Sequence, residues 1–362
     1  MTARRAGRTA GAAHDAARSI VGLRDVARAA GVSTATVSRA INNPDVVSAE
    51  IRQRVAAVIQ TLGWVPDGAA RALSTRRSGA IGAIFPTMTH GDFARATAAI
   101  QAELHGRNQT LLLACSNYDL DQEYQQARQL IERGVDGLIL VGENHHPLLL
   151  ELLARQRIPF VNTFVYTPAT HGTCIGPDNR KALFKLASYL AGLGHRVFGV
   201  LAQSTHNNDR AAARLTGIRD ALAERGLAVR PQHFAMGEWT IAEGKAMFRR
   251  IMAAVPRPTA VICGNAYLAV GAVLESMAMG LRVPEDVSIV GYDDIELMNE
   301  LPVRVTTVKV NGEDIGRHAA RFLMGEIERT PADVIFEWGA EIIVRDSSGP
   351  APKRATGEPK RK

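Results

Sequence analysis

Residues 22–64 read GLRDVARAAGVSTATVSRAINNPDVVSAEIRQRVAAVIQTLGW. Leu23, Val26, Ala27 and Ala30 recur at i, i+3, i+4 and i+7, which predicts one apolar helical face. Gly31 permits the sharp turn that ends this helix. Ser33 is placed to cap a second helix, Thr34–Ile41, that buries Val37, Ala40 and Ile41. Asn42 stands where a left-handed helix end is expected. Ser48 is placed to cap a third helix with Ile51, Val55, Val58, Ile59 and Leu62 inside, and Gly63 stops it. Two short helices joined by a glycine turn and closed by a third predict a helix-turn-helix domain over residues 20–66.

The second helix exposes Thr34, Ala35, Ser38 and Arg39, and no acid lies between Ser33 and Pro44. Such a helix can enter a major groove without repelling phosphate. The stretches DVARAAGVSTATVSRAIN (25–42), VSAEIRQRV (47–55), GWVPDGAARAL (63–73) and GYDD (291–294) resemble the LacI/GalR family of bacterial transcription regulators. The resemblance extends over residues 20 to 345 and is most specific in the helix-turn-helix. It implies a homodimer on a pseudo-palindromic double-stranded DNA operator, in the cytoplasm. It assigns DNA contacts to Thr34, Ala35, Thr36, Ser38, Arg39 and Asn42.

Residues 67–78 then form a hinge. Asp67 can cap one short helix, too short and too polar to stand alone. By resemblance, Leu73 is the apolar wedge in the minor groove and Ala70 lies against its floor. Wedging costs a few kcal/mol of unstacking, which the contacts of bent DNA offset. Arg71, Arg76 and Arg77 are candidate phosphate contacts.

Charge divides the chain in the same way. Residues 1–77 carry +7, residues 78–352 carry −4, and residues 353–362 carry +4. A basic N-terminus on a mildly acidic body points to a polyanion partner at that end. Cys115, Cys174 and Cys263 are far apart and form no CxxC pair, so neither zinc nor a redox dithiol is expected. No apolar run has the length of a signal core or a membrane span. Residues 1–19 and 347–362 read as disordered basic tails.

From Gly79 onward, short apolar strands alternate with amphipathic helices in two cycles. This predicts an α/β body over residues 79–346, with two doubly wound parallel-sheet subdomains and helices on both faces. Crossings of the chain between them are expected near residues 190, 310 and 330. Ligands of such sheets bind beyond the carboxyl ends of the strands. The resemblance implies a periplasmic-binding-protein-like body whose cleft takes a small effector: a sugar, sugar acid or sugar phosphate. It places effector contacts at Phe93, Asp178, Arg214, Trp239, Asn265 and Asp293. Thr87, His90 and Asp92 line the same loop as Phe93. Asp178 could instead, or also, cap the helix that follows it, and Asp294 competes with Asp293.

Three departures keep the effector open. Asn265-Ala266 stands where the family has Asn-Asp, Val310 where a polar residue is common, and Gly91-Asp92 where Pro-Phe is frequent. The adjacent pair His145-His146 points two ways in any regular element and has no third ligand, so no metal is expected. No cofactor is expected either. The chain carries no GxxxxGK[ST], HExxH or GxSxG motif, so it does not read as an enzyme. No leucine heptads suggest a tetramerising coiled coil at the C-terminus. Two other readings compete: a regulator tuned by a partner protein with a vestigial cleft, and a sugar-binding transport protein.

Overall fold

Capping sets the N-terminal helices. The backbone N–H of Gly22 donates to Asp25 Oδ2 at 3.0 Å at the head of α1 (Leu23–Ala30), which ends on Gly31 at φ 67°. Ser33 Oγ accepts from the Thr36 N–H at 3.0 Å and starts α2 (Thr34–Asn42). Ser48 Oγ accepts from the Ile51 N–H at 3.4 Å and starts α3 (Ala49–Leu62), which stops on Gly63 at φ 60°. Val26, Ala27, Ala30, Val37 and Val55 are buried between the three, with Ile41, Ile51, Val58, Ile59, Leu62 and Trp64 packed around them. One expectation fails. Asn42 is helical, and the terminating residue is Asn43, at φ −137° rather than left-handed. Asn42 Nδ2 donates back to Ser38 Oγ at 3.3 Å, and Pro44 disfavours helical backbone at its predecessor, Asn43.

The computed structural model describes residues 21–65, 77–167, 174–331 and 335–353, in two units divided between Ser78 and Gly79. The hinge residues Ala70, Arg71 and Leu73 lie outside the described residues, as do Arg76 and the N-terminal tail.

The second unit has two lobes. The first contains β1 (Ala80–Phe85), α4 (Gly91–His105), β2 (Thr110–Cys115), α5 (Leu120–Glu132), β3 (Gly137–Val141), α6 (Pro147–Gln156), β4 (Phe160–Thr163) and β5 (Cys174–Ile175). The second contains α7 (Asn179–Gly192), β6 (Phe198–Gln203), α8 (Asp209–Ala223), β7 (Phe234–Gly237), α9 (Ile241–Met252), β8 (Ala260–Cys263), α10 (Ala266–Ala278), β9 (Ser288–Tyr292), the one-turn α11 (Leu297–Glu300) and β10 (Thr306–Lys309). The chain then returns to the first lobe as α12 (Gly312–Glu328), packed along α4, before β11 (Glu341–Ile343) joins the second sheet.

The first sheet runs β2-β1-β3-β4-β5, all parallel. The second runs β11-β10-β9-β8-β6-β7, parallel except for the β10–β11 pair. Strand alternation sends Ile81, Ala83 and Phe85 toward α4 and α12, and Ile84 toward α5 and α6. Both faces are covered, so these strands read as continuous apolar runs.

The crossings differ from expectation at two of three places. Helix α7 already packs along α8 and on β10, so the first crossing lies at 176–178, not near 190. The second follows β10 at Val310. The third is expected near 330, but Trp338 N–H still donates to Gly176 O at 2.9 Å, and the chain crosses just before Glu341. The short strand β5 and the three-residue β11 carry too little pattern to mark these boundaries.

The helix pair that opens the second lobe is close-packed at Gly217, where a Cβ would stand 2.1 Å from Arg180 O. Gly217→Ala is expected to cost about 2 kcal/mol by overpacking, read as a lowered melting temperature. An unchanged melt would contradict the α7–α8 packing.

Residues 347–353 are not a tail. Ser347 is fully buried; its carbonyl accepts from Ile289 N–H at 2.8 Å and its Oγ from Thr306 N–H at 2.8 Å. Gly349 O meets His195 Nε2 at 3.0 Å. The Ser/Gly/Pro composition suggests solvent, but these backbone groups serve as partners for a sheet end. A chain ended after Asp346 is expected to lose about 2 kcal/mol, because buried donors are left unmade, whereas one ended after Lys353 should melt like the full chain. Among the described residues no helix is long and apolar enough to cross a membrane.

Candidate functional site

On α2, Thr34, Ala35, Arg39 and Asn42 are exposed, and Thr36 and Ser38 are half-buried. Thr36 Oγ1 lies 2.9 Å from Ser33 Oγ, which engages it in the cap. The outward face therefore offers one guanidinium, one hydroxyl, one amide and a methyl group, with Val37 fully buried behind it. These groups suit base edges in a major groove.

In the second unit a narrow cavity of about 30 Å³, the room of a water molecule, lies where parallel strands of both lobes end, so a larger ligand requires the lobes to part. His90, Asp92 and Phe93 reach it from the start of α4, Tyr118 from the loop after β2, and Phe164 from the end of β4. Asn179, Gln203, Arg210, Arg214, Tyr292, Asp293 and Val310 reach it from the second lobe. Asp293 sits at φ 71° and Phe164 at φ 61°, left-handed backbone that turns each side chain sharply off its strand.

Arg214 is the hub. Its Nη1 donates to Asn179 Oδ1 at 2.9 Å, Tyr292 Oη donates to the same oxygen at 2.9 Å, and the guanidinium lies 4.4 Å over the Tyr292 ring. Its Nε is buried without a partner. Arg210 is occupied, donating to Val141 O at 3.1 Å and to Asp209 Oδ1 at 3.0 Å. His90 Nε2 meets Asp293 Oδ2 at 3.2 Å across the cleft. Further bonds tie the lobes: Asn207 Nδ2 to Tyr118 O at 3.1 Å, and Tyr267 Oη to Thr89 O at 3.1 Å.

Burial, and then the Asp293 carboxylate, push Asp92 up to about 7. Burial alone would lower His90, but the Asp293 charge outweighs it and holds the imidazole above its ordinary value. Asp293 is held below the carboxylate range, because His90 and Arg214 overcome the cost of its burial. Among the described residues, His90, Asp92 and Asp293 form the group whose donor atoms converge closely enough to hold a metal, all within 4.8 Å. His145 and His146 diverge: His145 is buried against Glu123 at 3.0 Å, and His146 caps α6.

Phe93, Arg214 and Asp293 from the sequence reading line the cavity. Asp178 does not. Its carboxylate caps α7, accepting from Lys181 N–H at 2.9 Å, and the neighbouring Asn179 faces the cavity instead. Asn265 stands behind the wall, capping α10 and donating to Gln203 Oε1 at 2.8 Å. Trp239 is half-buried beside the cavity, its ring 6.1 Å from His90 and 5.8 Å from Tyr267, so it is not core. Tyr118, Phe164, Asn179, Gln203, Arg210 and Tyr292 were not singled out from sequence. Their one available signal is position, at a strand end or in the segment that follows it.

A three-helix unit that presents a recognition helix, on a chain with a two-lobed binding-protein body, defines a DNA-binding transcription regulator. Comparison with known proteins agrees. Residues 22–67 match the family model of bacterial regulatory proteins, lacI family, and residues 187–348 match the periplasmic binding protein-like domain. The chain is 30% identical to the HTH-type transcriptional repressor PurR of Pectobacterium carotovorum subsp. carotovorum (strain PC1), over 91% of this chain and 97% of that one. The structure of the Lac repressor dimer bound to operator and the anti-inducer ONPF shares the fold, with TM-score 0.80 and 24% identity over 91% of this chain and 99% of that one. The transcriptional regulator CelR–cellobiose complex is 26% identical, with TM-score 0.65, over 91% of this chain and all of that one. The chain belongs to the LacI family.

Proposed function

We propose that this protein is a cytoplasmic, homodimeric repressor that binds a pseudo-palindromic operator and is controlled by a small polyhydroxylated effector in the cleft. Thr34, Ala35 and Arg39 read base edges, with Arg39 placed for a bidentate contact to guanine. Thr36, Ser38 and Asn42 support that helix and its phosphate contacts, and the hinge residues Ala70, Arg71 and Leu73 enter the minor groove. A twofold dimer requires an operator of matching symmetry, as the operator-bound dimer of the Lac repressor suggests.

The observation that carries the effector reading is a set of buried, unpartnered polar atoms on one cavity: His90 Nδ1, Asp92 Oδ2 and Arg214 Nε. Buried polar groups in folded proteins are satisfied by protein, water or ligand, and a ligand that offers both donors and acceptors suits this set. A sugar, sugar acid or sugar phosphate has both, and aromatic Phe93, Phe164 and Trp239 suit its apolar faces. The cellobiose bound by CelR supports the class. The effector acts by replacing the bonds that tie the lobes, which changes the lobe angle and hence the population competent for DNA.

The test is a thermal-shift screen of the full chain against sugars, sugar acids and sugar phosphates. A ligand at 100 times its Kd is expected to add about 2.7 kcal/mol to the native state. A sharp melt that no member of the panel shifts would favour a regulator tuned by a partner protein, its cleft vestigial.

A further inference from the structure

Asp92 and Asp293 enter the cleft from opposite lobes and meet at His90. All three are at least nine-tenths buried. Two carboxylates meet in a buried site only where a proton or cations offset their charge, and here Arg95 stands against Asp92 and His90 against Asp293. Arg95 Nη2 holds Asp92 Oδ1 at 2.5 Å, and this fixes the carboxylate while Oδ2, fully buried, has no partner. His90 Nδ1 is likewise buried and unpartnered. Thr307 Oγ1 donates to Asp293 O at 2.5 Å and anchors the left-handed turn that aims Asp293 at the same point. Both carboxylates are thus positioned by a neighbour, as metal ligands are by the residues behind them.

We propose that His90, Asp92 and Asp293 bind one divalent transition-metal ion that fastens the two lobes and leaves coordination positions open toward the cavity. One imidazole and two carboxylates form the donor set of ions such as Mn²⁺ and Zn²⁺. Arg95 and Arg214 stand nearby and weaken the field at the ion. An anionic or diol ligand whose oxygens chelate the ion and reach Arg214 Nε restores it, so ion and effector bind with positive cooperativity. The chemistry selects effectors with adjacent oxygen donors, such as a vicinal diol or a 2-hydroxycarboxylate. This role for the open positions rests on the reading of the cleft as the effector site; the ion site itself does not.

The experiment uses the full chain, stripped with a chelator and titrated with MnCl₂ and separately with ZnCl₂, by calorimetry and thermal melting. One equivalent of at least one ion should bind and raise the melting temperature. Asp92→Asn, which keeps the Arg95 contact, and His90→Gln should each weaken binding on the order of tenfold or more. Melts of both variants without metal check that they fold. If neither ion binds, the carboxylates share a proton and the proposal fails. Binding that both variants retain undiminished places the ion elsewhere and also overturns it. One-to-one binding lost in the variants upholds the site even if no effector shifts the protein, an outcome that would count against the effector reading alone.

Discussion

Arg214→Ala is expected to abolish the effector response of operator binding while the operator affinity of the free protein stays nearly unchanged. The guanidinium is buried, stacks on Tyr292 and shares Asn179 Oδ1 with the Tyr292 hydroxyl. Its Nε is buried with no partner, on a residue that lines the cavity. Removing a buried, charge-assisted donor from a ligand costs about 2–5 kcal/mol, a loss of roughly thirtyfold to several thousandfold in effector affinity. Asn179 and Tyr292 remain bonded to each other, so the wall is retained. Operator titrations at rising effector concentration check this. A normal dose-response in the variant would remove Arg214 from the effector site. Loss of operator affinity without effector would mean instead that Arg214 acts on the DNA-competent state of the free protein.

The site around Arg214 was legible in sequence as a neighbourhood rather than as a set of side chains. Strand periodicity places polar residues after apolar runs, and this locates Asp293 and, through the loop after β1, Phe93. It does not choose between adjacent residues. Asp178 and Asn179 are one step apart, and helix geometry decides between them: the cap position ties the Asp178 carboxylate to its own helix, while the first helical residue projects into the cleft. Asn265, a cap, and Gln203, the group it orients, come from the ends of paired strands far apart in sequence, so only the β6–β8 pairing sets one behind the other. Arg210 carries no motif at all; its place follows from bonding the first lobe through Val141 O.

Fold legibility follows the same logic. Long amphipathic repeats appear in sequence because burial of one face imposes a period. Helix α12 was not delimited from the sequence, and it carries Gly312, Gly316 and Gly325. At Gly316 a Cβ would stand 2.4 Å from Ala96 O, so the missing side chain is the condition for packing against α4. Residues 347–353 show the converse: loop-like composition hides backbone groups that complete a sheet end.

Arg39→Ala is expected to erase discrimination between operator and unrelated DNA while salt-sensitive nonspecific binding persists. Arg39 is exposed near the end of α2, on a helix held by the Ser33 cap and by Val37 in the core. Its removal leaves that scaffold intact, so the variant should fold. A bidentate arginine–guanine contact discriminates by about 1–3 kcal/mol, and a dimer makes the contact twice, for about 2–6 kcal/mol. Binding of the remaining basic groups to phosphate is sequence-independent, so affinity for random DNA and its salt dependence should change little. The readout is the ratio of operator to random-duplex affinity at one fixed salt concentration. A ratio equal to that of the unmodified protein would remove Arg39 from base readout and shift the assignment to Thr34, Ala35 or Asn42. A proportionate loss on both DNAs would make Arg39 a phosphate contact instead, because phosphate contacts lower both affinities alike and leave their ratio unchanged.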